Sequence, residues 1–361
     1  MTATNSDSVM ASGDRAPDRG IVPADGASRA LALERLDSLT KPPGSLGRLE
    51  ALAAQLCAIQ GTVAPRLSAP HALVFAGDHG IARRGVSAYP PEVTAQMVAN
   101  FVRGGAAISV LARREGLSLT VVDAGVDAHI APDPRLIDAK VRRGTRDFGF
   151  ESAMTPAECR EALARAERIV DGIAARGSNT LVLGEMGIGN TASASVLMHG
   201  LTGLALPDCV GRGTGLDDRG LARKVELLSA ACARCAPPGE PLDLLTEFGG
   251  YEIAMLVGAA RAAARARMVV LVDGFTVTVA VLLASRMAPE LLGYCVFGHC
   301  SAERAHRALL QIMQVQPVLD LDMRLGEGSG AALALCVLRA ALALYSDMAT
   351  FEQAGVSERS A

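Results

Sequence analysis

Two segments of the chain place a carboxylate inside a glycine-rich turn that leads into a helical pattern. The first, Gly184–Thr191, reads GEMGIGNT after the apolar run TLVL, and the second, Gly326–Gly330, reads GEGSG. Glycines let backbone N–H groups approach an anion closely, and the helix start that follows adds its positive end. A carboxylate between glycines beside an apolar helix can be partly desolvated, which would raise its pKa toward that of a general base. The pattern indicates an anion site beside an acid–base group.

Each of the two carboxylates has a second interpretation. Glu327 and Glu185 stand near helix starts, where a negative charge also stabilises the positive helix end without doing chemistry. The sequence leaves both interpretations open for each residue. A third glycine-rich loop, Gly211–Asp218 (GRGTGLDD), precedes a helix that carries Lys224. Three such loops cost backbone entropy unless they line something, and a phosphorylated small molecule fits them better than a protein partner does.

Other catalytic and metal-binding patterns do not fit the sequence. The glycine loops match neither the Walker A pattern nor the dinucleotide fingerprint, and no serine stands at a G-x-S-x-G strand elbow. The six histidines lack ligand spacing, and Cys232 and Cys235 form a C-x-x-C without the second pair or histidine of a zinc site. Asp78 and His79 are adjacent on a turn, where side chains usually point apart. We expect no metal and no cofactor.

The composition excludes some classes of protein. The chain has 361 residues, of which 50% are hydrophobic and 20% charged, so a disordered or fibrous chain is excluded. A net charge of −3 and an aromatic content of 3% argue against nucleic acid as a partner. Only three of the 35 basic residues are lysines, namely Lys41, Lys140 and Lys224. This bias is typical of genome composition, and it draws attention to the lysines that remain.

The N-terminal segment and the most apolar stretches of the chain indicate where the protein is located in the cell. Residues 1–28 are polar and rich in Gly, Pro and Asp, which predicts a disordered extension without a signal peptide. The apolar stretches 254–284 and 331–345 are interrupted by charged residues or too short to span a bilayer. We interpret both as buried elements of a cytoplasmic protein with no membrane partner.

Strand-like and helical patterns alternate through the middle of the chain. Apolar runs at 71–76, 118–123, 180–183 and 268–272 predict strands buried on both faces, with Ala-rich helices between them. Such alternation predicts a Rossmann-like, mostly parallel α/β sheet covered by helices on both faces, here over residues 66–328. Residues 29–65 and 329–361 show only helical patterns and predict a small helical domain made from both chain ends. Ligands of such sheets bind at the carboxyl ends of the strands.

Six motifs, in this order, resemble the nicotinate-nucleotide–dimethylbenzimidazole phosphoribosyltransferase family. They are LTKPPGSLGRLE from Leu39, AGDHGIARRGVSAYPPEVTAQM from Ala76, GEMGIGNTASAS from Gly184, GRGTGLDD from Gly211, GHCSAE from Gly298 and RLGEGSGAALA from Arg324. The resemblance implies a Rossmann-like domain, a small helical domain from both ends, and a homodimer. It also implies synthesis of α-ribazole phosphate, used for the lower ligand of cobalamin, from nicotinate mononucleotide and 5,6-dimethylbenzimidazole.

The resemblance also implies roles for matching positions. Glu327 matches the catalytic base, Glu185 and Lys224 match residues that assist in or shape the active site, and Ser87–Gln96 matches the wall that binds the base. The positions matched to substrate binding are Ser87, Tyr89, Gln96, Met186, Gly187, Gly189, Asn190, Thr191, Gly213, Thr214, Gly215, Ser301 and Leu325. In GHCSAE, Cys300 stands where arginine is expected, which puts one polar contact near the nucleotide in doubt.

The implied reaction agrees with the residues. Nicotinate leaves from a positively charged ring nitrogen and needs no proton, so the protein need not supply a strong acid. The attacking benzimidazole nitrogen is neutral, and its partner nitrogen carries a proton that one carboxylate can accept. Glycine loops that hold the phosphate align the sugar for opposite-face attack. Two alternatives stay open: the same reaction on another lower-ligand base (adenine, another benzimidazole or a phenol), or a non-catalytic nucleotide-binding relative.

Overall fold

Six parallel strands form the main sheet of the computed structural model, which describes residues 20–357. The strands are β1 His71–Gly77, β2 Ser118–Gly125, β3 Leu136–Asp138, β4 Thr180–Met186, β5 Val269–Val272 and β6 Cys295–Phe297. Their spatial order is β3-β2-β1-β4-β5-β6. A second, two-stranded parallel sheet pairs β7 His299–Cys300 with β8 Leu319–Asp320.

Helices connect these strands and cover them. In chain order they are α1 Gly26–Ser38, α2 Arg48–Gln60, α3 Val93–Arg103, α4 Ala107–Arg114, α5 Pro156–Ala175, α6 Asn190–Thr202, α7 Leu206–Cys209, α8 Asp218–Arg234, α9 Pro241–Phe248, α10 Tyr251–Arg265, α11 Phe275–Met287, α12 Arg304–Ile312, α13 Ser329–Asp347 and α14 Phe351–Ala354. Short 3₁₀ turns at 80–84 and 289–294 complete the described chain.

Local sequence explains where several helices begin. Thr155 caps α5 by accepting a hydrogen bond from the Glu158 N–H, and Glu158 Oε2 accepts from the Thr155 N–H at 2.7 Å, which completes a capping box. Pro156 at the first helical position suits the same start. At α8, Asp217 Oδ1 accepts from the Gly220 N–H at 2.7 Å. These local contacts fix the helix starts independently of the core.

The sheet is covered on both faces. All of β5 and the interior of β4 are buried, as expected for strands between two layers of helices. Helix α10 packs across β1, β2, β4 and β5 and is covered in turn by α5, while α13 contacts β4 and β5. The predicted Rossmann-like parallel sheet with helices on both faces is therefore confirmed.

The strand order creates a crevice between β1 and β4. From β1 the chain proceeds outward to β2 and β3, whereas β4, β5 and β6 proceed outward on the other side. Open α/β sheets bind ligands at this switch of direction, outside the carboxyl ends of the strands. Because β1 ends at Gly77 and β4 at Met186, the segments that follow both strands meet at the crevice.

Helices from both chain ends share a small apolar core beside the main one. Its buried members come from α1, α2, α13 and the loop after α1, and they are Ala32, Leu36, Leu39, Ala53, Ala54, Cys57 and Tyr345. Arg35 Nε donates to the Tyr345 carbonyl at 3.0 Å, which ties α1 to α13. We propose that these helices are the small helical domain expected over 29–65 and 329–361. The described residues end at 357, before that range does.

The expectation of disorder over residues 1–28 is wrong for its last part. Helix α1 begins at Gly26, where Asp25 accepts hydrogen bonds from the N–H groups of Ala27 and Ser28. Ahead of it, the Tyr294 hydroxyl donates to the Val22 carbonyl at 2.9 Å. The residues at this helix start are small and polar, so the sequence pattern resembles a disordered segment. The pattern does not show the contacts that hold the helix start in place. Residues 1–19 lie outside the described part of the chain.

Helix α13 is long and apolar enough to cross a membrane, judged by length and composition alone. In the fold it packs against α2, α4 and the sheet, and half of its most apolar stretch is buried. Core helices pass the same test of length and composition, so this feature is weak evidence for a membrane span. The contacts agree with the interpretation of this stretch as a buried element.

Two kinds of difference from the predicted elements concern the site. The strands β4 and β2 extend beyond their apolar runs, to Met186 and Gly125. Glycines and Glu185 therefore lie within the carboxyl ends of these strands. Ahead of helix α12, which begins at Arg304, the residues His299 and Cys300 pair with β8 as a strand that was not among the predicted ones. The pairing of β7 was not visible as an apolar run because it is only two residues long.

Candidate active site

A cleft lies at the carboxyl ends of β4 and β5. Its walls come from the loops after these strands, the GRGTG loop and the segment before α13. The lining residues are Glu185, Met186, Gly187, Ile188, Asn190, Thr191, Gly213, Thr214, Gly274, Phe275, Thr276, His299, Ser301, Glu303, Arg324, Leu325 and Gly326. The structure thus brings together most of the predicted site residues from four separate segments.

The loop after β4 turns tightly into α6. Gly189 has φ +95° and caps α6, and no side chain caps this helix start. Gly187 lies so close to β1 that a Cβ there would stand 2.4 Å from the Gly77 carbonyl oxygen. The Ile188 N–H donates to Thr94 Oγ1 at 3.1 Å, which fixes the loop from the α3 side. An uncapped N-terminus of a 13-residue helix beside the cleft is a natural anion site.

Glu185 is held neutral by its surroundings. Burial raises its pKa to about 8, and the negative charges of Asp273 and Glu252 act in the same direction. The Asn190 side-chain amide donates to Glu185 Oε2, which opposes the shift. Near neutral pH the Glu185 carboxyl is therefore mostly protonated and can donate a hydrogen bond into the cleft, which it lines.

Glu327 is buried beside the cleft, with 5% of its surface exposed. Its φ of +66° is unusual for a residue with a side chain. Burial raises its pKa, the charge of Asp273 adds to this, and the N–H groups of Ala107 and Ile108 at the start of α4 oppose it. Its Oε2 atom is buried without a hydrogen-bond partner among the described residues. Such an oxygen is ready to accept an N–H from a ligand.

Asp273 bears on the helix-charge interpretation of Glu327, as far as it concerns helix α13. Asp273 follows β5, is fully buried, and accepts hydrogen bonds from the N–H groups of Gly328 at 3.0 Å, Gly330 at 2.8 Å and Ala331 at 3.0 Å. The start of α13 is thus already supplied with a carboxylate, and the side chain of Glu327 faces α4 instead. Glu327 is not needed as the charge that stabilises its own helix.

Lys224 lies behind the cleft and not in its lining. It is fully buried, and its Nζ donates to Thr191 Oγ1 at 2.9 Å and to the Gly211 carbonyl at 3.2 Å. Burial lowers its pKa to about 8, while the charge of Glu303 acts the other way. Lys224 therefore joins the start of α6 to the GRGTG loop and places a positive charge beneath both.

The predicted wall for the base is brought to the cleft only at one end. Ser87 Oγ lies 3.0 Å from Thr214 Oγ1, so the loop after β1 meets the GRGTG loop at the cleft's rim. Tyr89 and Gln96 are exposed and do not line the cleft. Gly215, φ +110°, is also exposed outside the lining. Of the other matched positions, Gly189 lies behind the lining as the cap of α6.

Several lining residues were missed by the sequence patterns. Phe275, His299, Glu303 and Arg324 all line the cleft, and Asp273 holds the start of α13 beside it. Asp273 and Phe275 could have been found, because they follow a predicted strand at its carboxyl end, as Glu185 does. His299, Glu303 and Arg324 lie in the motifs GHCSAE and RLGEGSGAALA, but their residue types and spacing alone gave no sign of a role in a site.

The departure at Cys300 falls on the far side of its strand. His299 and Ser301 line the cleft, whereas Cys300 is buried, does not line it, and lies 3.7 Å from the Ser301 carbonyl through Sγ. Successive residues of a strand point to opposite faces. In this structure the side chain at position 300 therefore points away from the cleft.

Two other sequence patterns resolve without a role in the lining. His79 pairs with Glu252 at 2.5 Å and not with its neighbour Asp78, as the turn interpretation implied. Cys232 and Cys235 are free thiols at the end of α8. Within residues 20–357, no group of three or more His, Cys, Asp or Glu side chains is placed to hold a metal ion.

The fold and the cleft define a class of protein. A parallel sheet in the order 3-2-1-4-5-6, with glycine-rich helix starts and acidic side chains at its switch point, is that of a Rossmann-like α/β enzyme. Among protein-family models, one described as Phosphoribosyltransferase (DBI_PRT) matches residues 21–356. The chain belongs to this phosphoribosyltransferase family.

Curated relatives and solved structures agree with this membership. The chain is 54% identical over 340 residues to the nicotinate-nucleotide–dimethylbenzimidazole phosphoribosyltransferase of Cupriavidus taiwanensis, covering 94% of this chain and 98% of that one. It is 45% identical over 344 residues to the enzyme of that name from Parabacteroides distasonis, covering 95% and 97%. The crystal structure of CobT from Thermus thermophilus superposes with a TM-score of 0.89 at 44% identity, covering 92% and 100%.

Proposed function

We propose that the chain transfers the phosphoribosyl group of nicotinate mononucleotide to 5,6-dimethylbenzimidazole, giving α-ribazole 5′-phosphate and nicotinate. The observation that carries the proposal is the buried, unpartnered Oε2 of Glu327 beside a cleft built from glycine-rich loops. The near-full-length relatives named for this reaction support it. The product supplies the lower ligand of cobalamin.

The nucleotide phosphate is assigned to the start of α6. The Gly187–Thr191 segment presents an uncapped helix N-terminus, and the positive charge of Lys224 lies directly behind Thr191. The start of α13 is unsuited to this task, because Asp273 already occupies its N–H groups. Gly213 and Ser301 line the same cleft. A phosphate held in this way fixes the ribose for attack.

The two glutamates have different tasks. Glu327 accepts the proton of the benzimidazole N–H as the other ring nitrogen attacks the anomeric carbon and the bond to nicotinate breaks. Nicotinate leaves as a neutral pyridine nitrogen and takes no proton from the protein. Glu185 stays mostly protonated near neutral pH, since its pKa is about 8, and so adds no second negative charge beside the carboxylate of Glu327.

The base is assigned to the apolar part of the cleft. Met186, Phe275 and Leu325 line the same cleft as Glu185, and Leu325 is 56% exposed. Covering these side chains with a flat aromatic base removes apolar surface from water, which favours binding. Ser87, Tyr89 and Gln96 are kept as a proposed outer wall, joined to the cleft through Thr214.

The remaining parts of the proposal concern the setting of the enzyme. We also propose a cytoplasmic homodimer without membrane or nucleic-acid partners, and the near-neutral charge and the low aromatic content argue against the nucleic-acid partner. Neither alternative to the main reaction, another lower-ligand base or a non-catalytic relative, is favoured by the relatives' names.

One assay tests the proposed reaction. The purified protein is incubated with nicotinate mononucleotide and, separately, 5,6-dimethylbenzimidazole, adenine, another benzimidazole and a phenol, and nicotinate release is followed. We expect release to be fastest with 5,6-dimethylbenzimidazole. Faster release with another base would replace the proposed acceptor, and the absence of release with every base would contradict the assignment as an enzyme of this reaction.

A further inference from the structure

A buried histidine–glutamate pair lies beneath the cleft outside its lining. His79, two residues after β1, has 3% of its surface exposed, and Glu252 in the first turn of α10 has none. His79 Nε2 lies 2.5 Å from Glu252 Oε1. A charged group buried this fully is costly unless it is paired, so each side chain depends on the other.

A third side chain extends the pair. His79 Nδ1 lies 3.0 Å from Ser193 Oγ on α6, and the same hydroxyl lies 3.3 Å from the Gly249 carbonyl that precedes α10. A hydroxyl has a single proton to donate, whereas a carboxylate and a carbonyl only accept. The chain of contacts therefore connects three elements through one imidazole: the loop after β1, helix α6 and the start of α10.

The GEMGIGN loop rests on this chain of contacts. A Cβ on Gly187 would lie 3.5 Å from Glu252 Oε1, and one on Gly189 would lie 3.3 Å from the His79 Cβ. Gly250 approaches the pair from below, where a Cβ would meet the His79 ring at 2.3 Å. The glycines thus let backbone close onto the imidazole and the carboxylate from two sides. The distance of the loop from helix α10 and from the end of β1 therefore depends on the size and position of the His79–Glu252 pair.

We propose that His79, Glu252 and Ser193 are positioning residues. They hold the Gly187–Asn190 loop in the position in which it binds the nucleotide phosphate. The inference rests on the proposed assignment of that loop to the nucleotide. It explains why a polar pair is buried at the switch point, where an apolar pair would fill the same space without a directed contact to α6. The three residues touch neither the phosphate nor the reacting atoms and act through the loop.

The pair also affects the cleft electrostatically. The negative charge of Glu252 contributes to the raised pKa of Glu185. The Oε2 atom of Glu252 is buried without a hydrogen-bond partner among the described residues, while its Oε1 atom contacts the imidazole. Loss of the imidazole would leave that charge uncompensated behind both the loop and Glu185.

The test compares variants that separate position from stability. His79→Leu removes both hydrogen bonds, and His79→Gln keeps a donor at the reach of Nε2. The double variant His79→Leu/Glu252→Gln removes the buried charge left by the first change. Ser193→Ala removes only the hydroxyl that contacts His79, and it is therefore the milder change. His71→Leu is the matched control, because His71 lies at the other end of β1, bonded to Thr120 at 2.9 Å. For each protein, the Kd of nicotinate mononucleotide is measured by calorimetry, with Tm, kcat and both KM values.

We expect His79→Leu to raise the Kd and the KM for nicotinate mononucleotide about tenfold or more, because the apparent affinity falls with the fraction of protein whose loop keeps the binding position. The KM for the base should stay within about twofold of wild type, and His79→Gln should recover most of the affinity. In the double variant Tm should recover while the Kd stays raised. Ser193→Ala should raise the Kd by a smaller factor, and His71→Leu should not change it.

Three results would overturn the inference. An unchanged Kd in His79→Leu and Ser193→Ala would show that the loop does not depend on the pair. A Kd that returns to wild type together with Tm in the double variant would show a purely stabilising role. An equal rise of Kd in His71→Leu would show a general effect of destabilising β1. Wild-type protein that binds the nucleotide but releases no nicotinate would defeat the proposed reaction alone, because the comparison of Kd values still decides this inference.

Discussion

The close approach of β4 to the Glu327 loop makes a single methyl group a sharp test of the site. Gly184 is buried in β4, and a Cβ there would stand 2.4 Å from the Glu327 carbonyl oxygen and 2.6 Å from the Gly328 nitrogen. These are backbone atoms held by Asp273 through Gly328, Gly330 and Ala331, so no side chain can swing away. The variant Gly184→Ala must therefore displace the loop by about 1 Å to reach ordinary contact distance.

This displacement has a predictable cost. Overpacking of a buried site costs about 1–3 kcal/mol of folding free energy. A misplacement of about 1 Å costs about 10² in rate, which corresponds to about 2.7 kcal/mol in the activation barrier. We expect kcat to fall about 100-fold, while the Kd for nicotinate mononucleotide changes by less than about fivefold, because the Gly187–Thr191 loop lies outside the collision.

The assay is nicotinate release under saturating substrates, with calorimetric binding and thermal unfolding on the same samples. Gly239→Ala is the control, since a Cβ at that exposed loop position meets nothing within 4 Å. A folded Gly184→Ala protein with wild-type kcat would refute the reasoning, because it would show that the exact place of Glu327 does not limit the reaction. A parallel loss in Gly239→Ala would point to a nonspecific cause.

Charge and packing lead to three more expected outcomes. The wild-type rate should rise as Glu327 loses its proton, at a pH above the usual carboxyl range, and fall near pH 8 as Glu185 ionises, whose pKa is about 8; a rate profile checks both. The free energy of unfolding should fall as pH rises from 4.5 toward 8, because the folded state keeps a proton on Glu185 that the unfolded chain loses, and Glu185→Gln should flatten this slope in urea titrations. Lys224→Met should raise the KM for nicotinate mononucleotide about tenfold in initial-rate assays, by freeing Thr191 and the GRGTG loop.

The long strands of the sheet could be predicted because each one carries its own signal, a short run of apolar residues. A strand covered on both faces must be apolar throughout, and TLVL and VVLV satisfy that condition without reference to the rest of the chain. The short strands β7 and β8 have two residues each, and their pairing depends on contacts across about 20 residues. No local pattern encodes such a pairing, which is why β7 and β8 were not among the predicted strands.

The candidate site was predictable where one segment carries both the glycines and the polar group. Glu185 and Glu327 stood out for this reason. Glu185 lines the cleft, whereas Glu327 is buried beside it, near enough for its charge to raise the pKa of Glu185. The sequence left a base and a helix charge open for Glu327, because the carboxylate that accepts from the start of α13 is that of Asp273, which is 54 positions earlier in the chain. Nor could it pair His79 with Glu252, since that contact spans 173 positions.

The most direct test of the central claim is the single-turnover rate of Glu327→Gln with nicotinate mononucleotide and 5,6-dimethylbenzimidazole, measured beside the Kd for the nucleotide. Glutamine keeps the shape of the side chain and removes its capacity to accept the proton. A general base contributes about 10²–10⁴ in rate, so we predict a loss of at least about 10²-fold with the nucleotide Kd within about threefold of wild type. A near-normal rate in this variant would contradict the assignment of Glu327 as the base.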